Sequence, residues 1–365
     1  MRYSPFLYCH KPHIRPFNAL LTATALAAIL AAIVFLPKTA FPVDPSSLFP
    51  WQSSLFPWQS PLFSQQSPPF SPQSPQILVE AEQDYFMNPQ WSPCGNYIAF
   101  TSARYQGIRI VEPGGGPIRV LTDEASAGYG FRWSPDGTRI AARTVRYDRD
   151  RFRLHAIKVF DITSGSEQAL SDYTRERTGL PYWTESGRRI AFLRDDSLTT
   201  RNVVGAGASD DDSTSVDYLY LARDNHIEKY ATDTEPIRKS EIHRFDHDRI
   251  LNLSLSPDRR LLAFQLAGSE IYVMDTGGDN LCHLGRGENP VWMPDGKHLL
   301  VTVSEDDGHH ITGSDILAVD ISTGERYKLT SHTGQTAMNP SVCPEGKRLV
   351  FSDDTNGTLY IMTIR

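Results

Sequence analysis

Three observations predict an all-β body and, within that class, a six-bladed β-propeller of four-stranded antiparallel blades. A short turn unit, complete as Trp-Ser-Pro-Asp-Gly at Trp133 to Gly137, occurs six times. Each copy leads into a run of apolar residues with little charge, as in Ile140-Ala141-Ala142. The third position of the unit falls at residues 93, 135, 185, 257, 294 and 344, spacings that mostly suit four short strands and their turns.

The chemistry of the unit sets its shape. Ser at the first, Pro at the second and Gly at the fourth position are what a type I β-turn prefers, so each copy reads as the hairpin between two strands. Close copies are Trp91-Ser92-Pro93-Cys94-Gly95 and Trp292-Met293-Pro294-Asp295-Gly296. Looser ones are Trp183-Thr184-Glu185-Ser186-Gly187, Leu255-Ser256-Pro257-Asp258-Arg259 and Val342-Cys343-Pro344-Glu345-Gly346. Asp136, Asp258 and Asp295 recur at one turn position and read as turn-shaping residues rather than acids of a catalytic site. The departures are informative: Glu185 replaces the proline, Arg259 replaces the glycine, and 72 residues separate the third and fourth copies.

Residues 1–16 carry Arg2, Lys11 and Arg15 without an acid, and Ala19 to Leu36 holds no charge. This predicts a signal anchor over 17–37, with the amino terminus cytoplasmic and the body periplasmic or extracellular, in a single-pass inner-membrane arrangement. Residues 38–76 are rich in Pro, Ser, Gln and Phe. Ser47-Leu48-Phe49-Pro50-Trp51-Gln52-Ser53 is repeated verbatim at 54–60, with decayed copies to Ser74. A proline in every copy rules out a continuous helix and predicts an extended linker.

The body is expected over 77–365, with blades starting near 88, 130, 180, 250, 289 and 339 and the strand 77–82 closing the last one. The first two units each supply four strands. Arg143 to Arg153 reads as a long solvated hairpin, and the surplus between Arg194 and Asp248 as decoration of the third blade. The sixth unit ends without a fourth strand, and Ile77-Leu78-Val79 is the free segment that can supply it, since an open edge invites aggregation.

The net charge of −7 conceals a basic amino-terminal part and a more acidic body, which excludes a nucleic-acid surface as the main function. The four cysteines lack C-x-x-C spacing and are too few for a disulfide framework. Cys94 and Cys343 would be neighbours in a closed ring, which leaves a disulfide open there.

The wording of the units, Trp-Ser-Pro-Asp-Gly before Ile-Ala-Phe and strands such as Ile271-Tyr272-Val273-Met274-Asp275 before a Gly-Gly turn, resembles the WD40-like repeat of the TolB family. The resemblance covers residues 77–365 and implies a six-bladed propeller that binds protein partners. TolB proteins carry a small α/β domain ahead of the propeller, where this chain has the anchor and linker. The repeat is also similar to propellers of prolyl oligopeptidase-type peptidases and to a metal-using pectate-fragment lyase. No G-x-S-x-G nucleophile elbow, H-E-x-x-H or P-loop occurs.

No catalytic residue and no cofactor are therefore assigned. The nearest approach to a metal set is His243 with His247, and His309 with His310, each beside aspartates. Binding is expected where the loops leading into the innermost strands converge on the channel mouth. Those loops carry Tyr85, Phe86, Asn88, Tyr129, Arg175, Arg177, Tyr182, His247, Arg249, Arg286, Glu288, Asn289, Met338 and Asn339. The repeated Asn-Pro at 88, 289 and 339 also fits a structural turn at strand entrance. The expected function is a membrane-anchored, extracytoplasmic scaffold for a protein or peptide partner of the cell envelope. The competing expectation is a metal-dependent lyase or hydrolase acting on a polysaccharide.

Overall fold

The apolar run behind each turn unit becomes the second strand of a blade and is buried on both faces. Ile98, Ala99 and Phe100, Ile190 and Phe192, and Leu349, Val350 and Phe351 are all fully inaccessible. In the computed structural model the described residues are 68–82, 84–205, 217–234 and 236–365; the segments 1–16 and 17–37 and most of the linker lie outside them. Among the described residues no helix is long and apolar enough to cross a membrane.

β1 (Gln76–Val79) precedes the blades. Blade 1 holds β2 (Phe86–Trp91), β3 (Ile98–Ser102), β4 (Gln106–Val111) and β5 (Arg119–Thr122). Blade 2 holds β6 (Arg132–Trp133), β7 (Arg139–Tyr147), β8 (Arg153–Asp161) and β9 (Glu167–Ala169). Blade 3 has β10 (Tyr182–Trp183), β11 (Arg189–Arg194) and β12 (Ser197–Asn202), and blade 4 has β13 (Tyr218–Arg223), β14 (His226–Ala231) and β15 (Arg238–Arg244). Blade 5 contains β16 (Ile250–Leu255), β17 (Leu261–Leu266), β18 (Glu270–Asp275) and β19 (Cys282–Arg286). Blade 6 contains β20 (Glu288–Trp292), β21 (His298–Asp306), β22 (Ile311–Asp320) and β23 (Arg326–Lys328). Blade 7 has β24 (Ala337–Val342), β25 (Arg348–Asp353) and β26 (Leu359–Thr363), and β1 pairs with β26 as its outermost strand.

The propeller thus has seven blades, not six. The surplus after the third turn unit is not decoration but a blade of its own, whose first described strand corresponds to the second strand of the others, as shown below. Blades 3 and 4 are three-stranded among the described residues; the other five are four-stranded and antiparallel.

The turn units form the hairpins expected of them. The first residue donates its N–H to the carbonyl of the sixth and accepts the N–H of the fourth, as in Ser134 N to Arg139 O at 2.8 Å and Gly137 N to Ser134 O at 2.8 Å. Gly137 has φ +70°, a left-handed conformation in which a Cβ is strained. Asp136 accepts from Thr138 N at 3.0 Å and Asp295 from Lys297 N at 2.9 Å, so both carboxylates serve their own turns. Cys94 and Cys343 are free. Cys343 stands in for the turn serine, its Sγ accepting from Arg348 N at 3.2 Å.

The tryptophan closing an innermost strand reaches the preceding blade. Trp133 Nε1 donates to Gln90 O at 3.3 Å, Trp183 Nε1 to Arg132 O at 3.0 Å and Trp292 Nε1 to Ser254 O at 3.4 Å, each acceptor lying one residue before the equivalent position. Apolar clusters fill the gaps between neighbouring blades. The junction of blades 3 and 4 has none among the described residues. It is bridged by Arg223 to Asp196 near one face and by Glu185 N to Asp217 Oδ2 at 2.7 Å near the other.

The last turn of linker-like sequence packs on the body. Phe70 is buried, 5.1 Å edge-on from His298, and the Arg365 guanidinium lies 4.8 Å over its ring. Arg365 and His298 both bond Asp295. Burial raises the Asp295 pKa, but the hydrogen bonds from Arg365, Lys297 N and His298 outweigh it and hold the carboxyl at about 2. A folded-state pKa below the unfolded value of about 4 stabilises the fold above that pH, and the gain is lost as pH falls toward 2. Urea unfolding between pH 7 and 2 is expected to show about 2 kcal/mol less of this acid-sensitive stability in Asp295→Asn than in the parent.

Candidate functional site

Blade 4 is identified strand by strand through a bond that blades 2, 3, 5, 6 and 7 repeat. The residue after the third strand donates its N–H to the carbonyl of the residue before the second: Ile162 to Thr138 at 3.1 Å, Thr276 to Arg260 at 3.0 Å, Ile321 to Lys297 at 3.0 Å. In blade 4 the same bond is Thr232 N to Asp217 O at 3.0 Å. Asp217 therefore stands just before a second strand, and β13 is the counterpart of β7, β17 and β21. The innermost strand and its turn unit have no counterpart among the described residues of this blade.

The three sequence departures meet at that gap. In six blades the carbonyl opening the second strand receives the N–H of the first turn residue, at 2.8 to 2.9 Å. Among the described residues blade 4 shows no such donor, and the equivalent carbonyl, Tyr218 O, receives Arg259 Nη2 from blade 5 at 3.2 Å. The same nitrogen lies 3.1 Å from Asp217 Oδ1, and Arg259 Nε lies 3.5 Å from Glu185 Oε2 of blade 3. Burial raises the Asp217 pKa; the Glu185 N–H and Arg259 oppose it without cancelling it.

Beside the start of β13 there is a cavity of about 330 Å³. Its walls are Arg132 and Trp133 of blade 2, Tyr182 and Trp183 of blade 3, Asp217 to Tyr220 of blade 4, and Leu253 to Leu255 with Arg259 of blade 5. The Arg132 guanidinium lies 5.4 Å over the Tyr182 ring, and Lys229 Nζ lies 4.0 Å from the Tyr218 ring. Aromatic walls with arginine beside them combine apolar area, hydrogen-bond donors and positive charge in one recess.

Of the fourteen channel-mouth residues picked from the sequence, Tyr182 alone lines this cavity. Asn88, Asn289 and Asn339 adopt left-handed φ of 55°, 51° and 53°, and each sits where its strand loses register with the next. Asn252, at φ 52°, and Gly130, at φ +67°, occupy the same position in blades 5 and 2. These residues make bulges, and Asn252 Nδ2 joins Asn289 Oδ1 at 2.6 Å, linking two blades near the axis. Asn339 bonds Ser352, and Met338 Sδ accepts from Ser314 Oγ at 3.2 Å.

The others tie loops together. The Tyr85 hydroxyl donates to Asp354 at 2.9 Å, and burial followed by Asp354 raises its pKa. Phe86 is buried against Phe100. Tyr129 meets Tyr105 edge-on at 4.9 Å with Arg143 5.7 Å from its ring, so Arg143 points inward from the hairpin read as solvated. Arg175 covers the Phe152 ring and pairs with Asp148. Arg177 and Asp195 exchange main-chain and carboxylate bonds. Arg286 donates to Ser304 O, Glu288 accepts from Ser269, and Arg249 O accepts from Ala267 N. His247 is exposed.

The histidines weighed as metal ligands are not gathered. His243 packs 4.7 Å from Phe245, while His309 and His310 donate main-chain N–H groups to Asp307 in a hairpin turn. Among the described residues no group of three or more His, Cys, Asp or Glu is placed to hold a metal ion.

No family model matches the chain. It is 29% identical over 142 residues to an uncharacterised peptidase, YuxL, of Bacillus subtilis, a match spanning 28% of this chain and 22% of that protein. The chain thus spans about a fifth of that relative's length. Among solved structures, it is similar to an oligogalacturonate lyase in complex with manganese, at 16% identity, TM-score 0.45 and 79% coverage of both chains. It is also similar to an oligogalacturonate lyase from Vibrio parahaemolyticus, at 12% identity, TM-score 0.43, and 78% and 79% coverage. At these identities the likeness is one of fold.

Arg259 holds its left-handed φ of 60° where the other turns have glycine, so its side chain must offset the strain. Arg259→Gly removes both the bonds and the strain and is expected to leave stability within about 0.5 kcal/mol of the parent. Arg259→Ala keeps the strain and loses the bonds, and urea midpoints should place it about 1 kcal/mol lower.

Proposed function

We propose that the propeller is a binding scaffold for a protein or peptide partner of the cell envelope, and that the partner docks in the cavity beside blade 4. The observation that carries this reading is the make-up of that cavity: Trp133, Tyr182, Trp183, Tyr218 and Tyr220 converge there with Arg132 and Arg259. Tyr, Trp and Arg in a recess are the residue types that dominate protein-binding energy, because each buries large area with few rotamers and keeps a polar handle. In the same reading the apolar segment 17–37 anchors the chain in the inner membrane, and the propeller works on the extracytoplasmic side.

A photo-reactive side chain at position 220 tests the reading in native membranes, with one at His309 as a remote control. The expected result is an adduct of defined mass from position 220 alone, lost when Arg132→Ala is added. Repeated absence of such an adduct, or equal adducts from both positions, counts against the scaffold. A thermal shift of the purified protein on micromolar Mn²⁺, Zn²⁺ or Ca²⁺ would move the reading to the metal-dependent lyase or hydrolase.

A further inference from the structure

The face of blade 2 that packs on blade 3 carries a basic cluster without a counter-charge among the described residues. Arg143 lies opposite Ile157 in the β7–β8 ladder, Val145 opposite His155, and Tyr147 opposite Arg153. Opposed residues of an antiparallel pair project on the same side, so Arg143, His155 and Arg153 share the face whose Ile157 joins Ile190 and Phe192 of blade 3 in one apolar cluster. Two main-chain bonds tie His155 to Thr174, through its N–H at 2.8 Å and its carbonyl at 3.0 Å. Arg143 Nη1 donates to Thr178 O at 2.8 Å, and Arg153 Nη2 to Ser126 Oγ at 3.1 Å.

Arg143 Nε and His155 Nδ1 are shielded from water and have no hydrogen-bond partner. Arg194 and Arg326 also hold a buried, unpartnered Nε, but Glu176 stands 3.2 Å from that of Arg194 and the Glu270 charge acts on Arg326. Among the described residues no carboxylate pairs with Arg143, Arg153 or His155. Acids of the adjoining loops are taken elsewhere: Asp148 by Arg175, Glu124 by Lys158 and Arg146, Glu176 by Arg194. Burial, then the Arg153 charge, lowers the Arg143 pKa; burial, then Arg143 and Arg153, lowers that of His155. Partly desolvated cations that repel one another are costly unless an anion joins them.

Independently of the cavity beside blade 4, we propose that this cluster is an anion site for the carboxylate or phosphate group of a small ligand. Thr178 O occupies Nη1 of Arg143, which leaves the edge formed by Nε and Nη2, and two parallel N–H groups on one edge match two oxygens of an oxyanion. His155 adds a neutral donor when its proton is on Nδ1. Arg153 is exposed and supplies positive charge at the entrance. The Tyr129 ring, 5.7 Å from the guanidinium and 44% exposed, moves aside to admit the anion.

The test is a titration of the full-length protein with inorganic phosphate or with acetate at constant ionic strength, followed through the arginine Nε–H resonances. The Arg143 signal, identified by its absence from Arg143→Lys, is expected to shift saturably with a dissociation constant of about 1–10 mM. Arg153→Gln should weaken binding about threefold or more, while Arg260→Gln, which removes an exposed charge from the blade 5 turn, should change it by less than about 1.5-fold. The tighter of the two anions assigns the source, phosphate or carboxylate. No saturable shift with either anion at about 50 mM overturns the site, as does equal weakening by Arg153→Gln and Arg260→Gln. Binding that appears only when Asp210→Asn, Asp211→Asn and Asp212→Asn are combined gives the cluster to the chain's own acidic run and overturns a ligand site.

Discussion

The carbonyl that opens each second strand needs a donor, and how it finds one organises the propeller. In six blades the donor is the amide of the first turn residue, held there by a glycine or arginine in the left-handed region and, in all but blade 3, by a proline. That single bond closes the hairpin, aligns the innermost strand with the second and fixes where the terminal tryptophan points. In blade 4 the equivalent carbonyl, Tyr218 O, belongs to an exposed residue and takes a side-chain donor. Arg259 is that donor, and its long side chain lets blade 5 satisfy blade 4.

From this follows an uneven ring. Around most of the circle, neighbouring blades share apolar clusters, and burial of area is the main source of cohesion. Between blades 3 and 4 the described contacts are an ion pair and a hydrogen bond among partly exposed groups, each worth about 1 kcal/mol or less. A ring with its weakest described contacts at one junction opens there at the lowest free energy.

Much of this was legible in the residues themselves. The turn unit reports a residue pattern that only a hairpin satisfies, and Asp136, Asp258 and Asp295 serve their turns as their recurrence implied. The blade count was not legible by motif, because no copy of the turn unit occurs between Arg194 and Asp248. The signal was present in other terms: an interval of 72 residues, a Tyr218-Leu219-Tyr220-Leu221 run, and charged residues where Pro and Gly belong. Glu185 and Arg259 looked like decay of two separate turns, and only the fold shows that they approach each other beside the start of β13. The cavity was hidden for the same reason. Its walls come from tryptophans and tyrosines at strand ends, which in one dimension look like core, whereas the recurring Asn88, Asn289 and Asn339 make bulges.

The departures at Glu185 and Arg259 act together rather than as two decayed turns. Arg259 of blade 5 reaches Tyr218 O and Asp217 of blade 4 and Glu185 of blade 3, so one side chain touches both of the blades that share no apolar cluster among the described residues. Each of these contacts is partly exposed and worth about 1 kcal/mol or less, so together they hold position more than they add stability. A glycine at 259 would relieve the left-handed φ, and the described contacts left at that junction would be Arg223 to Asp196 and Glu185 N to Asp217.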